Sequence, residues 1–159
     1  MARYLFVLAA LFVGCGPPSS GQRLAESASD MNTAARFGRM DIALDYVADA
    51  ARADFTRRHT AWGGDVRILD VDFVGMAPAG KDDADVFLSI SWQNLGDPTV
   101  QVTTLAQRWH DDRGWRMVGE RRTGGVLGLL ADGAKHPPAD DKSSEQSARF
   151  RTHTIPADE

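Results

Sequence analysis

The sequence predicts an α+β fold, with N-terminal helices packed on a curved four-stranded antiparallel sheet. Three observations carry that expectation. Leu44, Val47, Ala51 and Phe55 recur at i, i+3, i+7 and i+11, one apolar stripe on a helical period. From Val66 onward the period changes to two, as in half-buried strands. Short polar turns separate the alternating runs, so neighbouring strands run antiparallel and the helices stay grouped ahead of the sheet.

The chain begins MARYLFVLAALFVGCGPPSSGQ. Arg3 is the only charge before Cys15, and the apolar run over residues 4–13 is about half the ~20 residues that a membrane-crossing helix needs. A basic start, a short apolar middle and small residues at its end form a secretory signal peptide. The end reads Phe12-Val13-Gly14-Cys15, and it resembles the lipobox of bacterial lipoproteins, with Phe12 where Leu is usual. That resemblance implies a lipoprotein signal peptide over residues 1–14 and acyl chains, palmitate among them, on Cys15. It also implies a cell-envelope location. Gly16 stands where Asp often marks inner-membrane retention, so the expected site is the outer membrane, facing the periplasm. More than one chain is needed for a stable hold, since each buried methylene adds only ~0.8 kcal/mol. Residues 15–28 are expected to form a flexible tether, because residues 16–22 are rich in Gly, Pro and Ser.

The folded domain is expected over residues 29–130. Ser29 or Asp30 caps a short helix carrying Met31, Ala34, Ala35 and Phe37, and Gly38 ends it. A second helix starts near Arg39 and carries the stripe to Phe55; Trp62, Gly63 and Gly64 close the helical region. Asp41, Asp45 and Asp49 line up four apart on another face with Arg52 following, a solvated helix face.

In the first strand Leu69, Val71 and Phe73 are expected to face inward, with Asp70 and Asp72 outward. A polar turn over residues 78–83 follows. Val86, Leu88, Ile90 and Trp92 then alternate with Ser89, Ser91 and Gln93, the cleanest strand in the chain. After a loop over residues 94–98, Val100 and Val102 take one parity and Leu105 and Trp109 the other. A bulge near Thr103 and Thr104 would reconcile them. Residues 110–114 form a hairpin connection in which Gly114 accommodates positive φ. Trp115, Met117 and Val118 belong to a last strand running to about Arg122. The bulge bends the sheet and leaves a concave face.

Residues 131–159 hold only Phe150 and Ile155 as large apolar side chains and are expected to form a disordered polar tail. Cys15 is the single cysteine, so no disulfide staples an exported domain and stability rests on packing. Net charge is −4, which argues against a nucleic-acid partner.

The stretch FGRMDIALDYVADAAR resembles the helix pair that opens many nuclear transport factor two-like domains. QRWHDDRGWRMVGE is similar to their closing hairpin, where an aromatic residue after a Gly turn starts the last strand. The resemblance covers residues 29–122, and a cystatin-like arrangement is the related alternative. It implies helices on a curved sheet around a cone. The superfamily includes isomerases, dehydratases and plain binding domains, so the fold alone selects no function. No acid/base carboxylate or His–Asp pair carries over by position.

The residues themselves offer few sites. Asp70 and Asp72 share a strand face and are the candidates for acid/base work, although their neighbours place them toward solvent. His59 follows Arg57 and Arg58 at a helix end, where a cation suits the dipole. Trp62, Trp92, Trp109 and Trp115 fill a core and pair across hairpins; alternatively Phe55, Trp62 and Trp92 line the mouth of a cavity for an apolar ligand or peptide. Asp82, Asp83, Asp85, Asp111 and Asp112 lack the spacing of a calcium loop. No metal set, phosphate loop or Ser elbow is present, and no cofactor is implied. The expected function is therefore a lipid-anchored envelope protein that binds a partner protein or small apolar ligand without catalysis. The alternatives are an isomerase- or hydratase-like enzyme using Asp70 or Asp72, and a structural envelope subunit without a pocket.

Overall fold

The computed structural model describes residues 18–130. The expected signal peptide, Cys15 and the polar tail lie outside them. In chain order the elements are α1 (Ser20–Arg36), α2 (Met40–Ala43), a 3-10 turn (Leu44–Tyr46), α3 (Asp49–Arg58), β1 (Val66–Pro78), β2 (Asp83–Asn94), β3 (Gln101–Asp111) and β4 (Trp115–Gly125). The four strands form one antiparallel sheet in the order β1-β2-β3-β4, with the helices on one face. Helices before a curved antiparallel sheet is the predicted class.

Helix α1 corrects the tether. It begins at Ser20, not near residue 29, and Ser19 caps it by accepting from Gln22 N at 3.2 Å. Ser29 and Asp30 sit mid-helix, and Asp30 accepts a bond from the Tyr46 hydroxyl at 3.1 Å. Burial pushes the Tyr46 phenol pKa up, and Asp30 adds to the shift. The buried residues Leu24, Ala28, Met31 and Ala35 follow a helical stripe that starts well before residue 29. Its first half contains one large apolar residue among Ser, Ala and Gln, and so reads as linker. The small side chains let this helix lie close to the sheet, and burying Leu24 and Met31 contributes about 1.5–3 kcal/mol each.

Gly38 (φ 71°) ends α1, with Gly38 N bonding to Ala35 O at 3.0 Å and Arg39 N to Ala34 O at 2.8 Å. Its backbone passes Gly63 (φ 76°) so closely that a Cβ on Gly63 would lie 3.4 Å from the Gly38 Cα.

The second helix is broken where a continuous one was expected. Val47 leaves the helical region (φ −97°, ψ 132°), bridges to Met117 on β4, and Ala48 N donates to Met117 O at 2.9 Å. The stripe nonetheless holds: Val47 and Phe55 are buried, with Leu44 and Ala51 packed against the core. Asp41, Asp45 and Asp49 are exposed, with Arg39 beside Asp41 and Arg52 beside Asp49.

Both edge strands are bulged. In β1 the register shifts at Leu69 and again at Val74; in β4 it shifts at Val118 and Thr123. The inner pair, β2 with β3, runs without a shift. This relocates the bulge expected at Thr103 and Thr104 into β4. Strand β3 keeps one parity throughout, with Thr103, Leu105, Gln107 and Trp109 inward; Val102 is exposed. In β1, Val66 and Ile68 face the core, Leu69 is the extra residue, and Val71 resumes on the helix side. Phe73 shares that side but lies beyond the helix cover, partly exposed. Strand β2 alternates as predicted, with Val86, Leu88, Ile90 and Trp92 buried.

Strand β4 runs to Gly125 rather than Arg122. There φ is 78°, and a Cβ would collide with the Val102 carbonyl. The following segment closes the open end of the core. Leu129 and Leu130 are buried, Trp62 Nε1 donates to Leu129 O at 2.8 Å, and Thr103 Oγ1 donates to Val126 O at 2.7 Å.

Candidate functional site

The interior between α1, α3 and the sheet holds a chain of polar side chains. Strand β3 points Gln107 inward between Leu105 and Trp109. The bulge at Val118 changes the parity of β4, so that Met117 and then Glu120 face the interior, Glu120 opposite Gln107. Gln107 Nε2 donates to Glu120 Oε2 at 2.9 Å and to Asn32 Oδ1 at 3.0 Å. Asn32 Nδ2 returns a bond to Gln107 Oε1 at 3.1 Å and donates to Ala28 O at 2.7 Å. These bonds offset the cost of burying the amides.

His59 joins the other end. It follows the last turn of α3, as expected, but it is buried rather than solvated. Its Nδ1 lies 2.8 Å from Phe55 O, a carbonyl that only accepts, so Nδ1 carries hydrogen. Nε2 then faces Glu120 Oε1 at 3.3 Å, close enough for an ion pair but poorly aligned for a hydrogen bond. The ring stacks on Phe55 (centroids 4.0 Å apart) and meets Trp62 edge-on at 4.5 Å. Arg58 donates to the Glu120 backbone carbonyl and lies 3.8 Å from Asp54. A cavity of about 140 Å³ between α3 and β4 reaches this carboxylate, lined in part by Asp54, Phe55, Arg58 and Glu120. It is well below the ~300 Å³ at which small-molecule sites begin.

The residues expected from the sequence lie elsewhere. Asp70 is exposed and pairs with Arg36 at 2.8 Å; the same guanidinium donates to Leu69 O. Asp72 is exposed. Neither carboxylate faces the interior between the helices and the sheet; the carboxyl group found there is that of Glu120. Phe55, Trp62 and Trp92 do not form a cavity mouth. All three are buried, and Trp92 Nε1 donates to Thr103 Oγ1 at 3.0 Å. Of the three, Phe55 alone lines the cavity beside Glu120, and Trp62 and Trp92 pack in the core.

A signal for Gln107 was present in the sequence, since Leu105 and Trp109 flank it on an inward parity. Glu120 gave none, because a bulge decides its direction. Among the described residues no group of three or more His, Cys, Asp or Glu is placed to hold a metal ion. No described helix is long and apolar enough to cross a membrane.

A second feature lies on the outside. Ala25 and Ser29 of α1 and Phe73, Gly75 and Met76 of β1 line a groove of about 360 Å³, within the range of ligand sites. Strand β1 is an edge of the sheet, and its second bulge turns Val74 outward beside the groove. Nothing charged lines it. No protein-family model matches this chain, and no curated protein or solved structure matches it either.

Proposed function

We propose that this chain is a lipid-anchored protein of the bacterial cell envelope, held through acyl chains on Cys15, whose domain is a non-catalytic binding module. The nuclear transport factor two-like plan and an outer-membrane site facing the periplasm belong to the same reading. The supporting observation is the apolar groove between α1 and β1. It is large enough for an apolar chain, whereas the two hollows that Glu120 lines are about 140 Å³ and 210 Å³. Phe73 and Met76 stay partly exposed there, as contacts awaiting a partner do.

Two measurements test this. The wild-type protein should fractionate with membranes and Cys15→Ala should not. A soluble form beginning at Pro18 should bind a fluorescent fatty acid, and Met76→Glu should weaken that binding at least tenfold. Equal binding by both forms would remove the groove from the reading. A second reading, an isomerase- or hydratase-like enzyme, draws on the buried His59–Glu120 contact rather than on Asp70 or Asp72. It requires access to His59. Resistance of His59 to diethyl pyrocarbonate in the folded protein would count against it.

A further inference from the structure

Very little chain separates the acylation point from the folded domain. Pro18 is already held, its carbonyl accepting from Arg23 Nη1 at 2.9 Å, and Ser19 caps α1. Three Cα–Cα steps lie between Cys15 and Pro18, a reach of at most about 11 Å. The polar zone of one leaflet is about 5–7 Å deep. A Cys15 acylated at the bilayer surface therefore holds the first turn of α1 among the headgroups or within a few ångströms (~4–6 Å) above them. The tether expected over fourteen residues would have let the domain wander; a helix beginning at Ser20 does not.

The apolar groove lies at this same end of the molecule. Ala25 is five residues into α1, about 7.5 Å along its axis. The start of α1 is fixed against the sheet by Trp115 Nε1, which donates to Ser20 O at 3.1 Å beside the hairpin joining β3 to β4. The turn between β1 and β2 lies at that end too, with Asp111 N bonding to Asp82 O at 2.8 Å. Met76 is two residues before Pro78, where β1 runs into that turn. Residues 73–80 read FVGMAPAG and contain no ionisable side chain. Phe73, Val74 and Met76 are 42%, 66% and 44% exposed. Three of the acidic side chains at the nearby turns are drawn into pairs of their own, Asp83 with His110, Asp111 with Arg23 and Asp112 with Arg113, while Asp82 is exposed.

We propose that the groove and the outer half of β1 dock on the bilayer that carries the anchor, seating Phe73, Val74 and Met76 among its acyl chains. This rests on the reading of Cys15 as acylated and names the partner of the groove. A short anchor keeps these residues continuously at the surface. Attachment and docking then reinforce one another, as two linked weak contacts do. The result is a domain with one fixed orientation, the loop between β2 and β3 pointing away from the membrane.

The test uses the acylated full-length protein, whose only native thiol is consumed by acylation. Val74→Cys and, separately, Leu95→Cys are labelled with an environment-sensitive fluorophore. Each is reconstituted in phosphatidylethanolamine/phosphatidylglycerol vesicles with and without nitroxide-bearing lipid. Leu95 lies in the loop at the far end of β2, roughly 25 Å away along the strands, since Val74 lies level with Phe87 and Leu88. The label at 74 should shift to the blue and be quenched several-fold more than the label at 95; Met76→Cys should behave like 74. Equal, weak quenching at 74 and 95, with intact mass confirming acylation, would overturn the docking and leave the anchor standing. Self-quenching at 74 that rises with protein density, without quenching by lipid, would overturn it in favour of a second copy on the groove. An unmodified Cys15 in the intact mass would remove the anchor and this inference together.

Discussion

Glu120 is held between Gln107 of β3 and His59 at the end of α3. It lines a cavity with Phe55 and Met117, with Gln107 donating to one oxygen and His59 facing the other. A buried polar set of this kind adds little net stability over an apolar core, yet losing Glu120 leaves a Gln107 N–H and His59 Nε2 without the partner they face. Glu120→Leu should cost about 3–5 kcal/mol by that reasoning, and the doubly apolar variant Glu120→Leu with Gln107→Leu should recover part of the loss. Urea unfolding of the three forms reads this directly. If the double variant is no better than the sum of its singles, Gln107 and Glu120 are not coupled as their 2.9 Å bond requires.

At the scale of elements, the sheet divides into a regular centre and irregular edges. The centre is the pairing of β2 with β3, where Ile90 opposes Thr103 and Ser91 opposes Val102 in an unbroken register. Ile90→Ala should cost about 2–5 kcal/mol, because its side chain is fully buried beneath the helices. Ser91→Ala should cost little, since alternation points it to the outer face. Denaturant midpoints of both variants test register together with burial, and a larger loss from Ser91→Ala would contradict the pairing. The edges are built differently. The bulges at Leu69 and Val74 break the free edge of β1, and those at Val118 and Thr123 break that of β4. Bulges of this kind discourage pairing with another chain.

For the molecule as a whole, the decisive piece is the first half of α1. It covers the sheet through Leu24 and Ala28. A form beginning at Ser29 should therefore melt well below one beginning at Pro18. Loss of Leu24 alone corresponds to about 2–5 kcal/mol, and the helix would also lose its cap at Ser19. Circular dichroism melts compare the two forms. Equal melting temperatures would mean that residues 20–28 act as the flexible linker their composition suggests.

Much of this protein follows from local pattern. The α+β class, the four strands, the helix stripe of Leu44, Val47, Ala51 and Phe55, and the solvated row of aspartates were all legible, because burial on a helix or strand repeats at a set period. The outward position of Asp70 and Asp72 was legible for the same reason. Tertiary structure alone decided the rest. Val47 leaves the helix because β4 offers it a backbone partner, while its side chain still faces the core; periodicity records facing and not continuity. Glu120 turns inward because one extra residue at Val118 reverses parity, and a bulge leaves no periodic mark of its own. Residues 20–28 become helix because small side chains allow close approach to the sheet, and such an approach has meaning only once the sheet is present. The candidate sites divide the same way. Core filling and a cavity mouth were both open for the aromatic residues; Phe55, Trp62 and Trp92 are buried, and Phe55 also lines the cavity beside Glu120. The open apolar groove comes instead from an edge strand that the helix leaves partly uncovered.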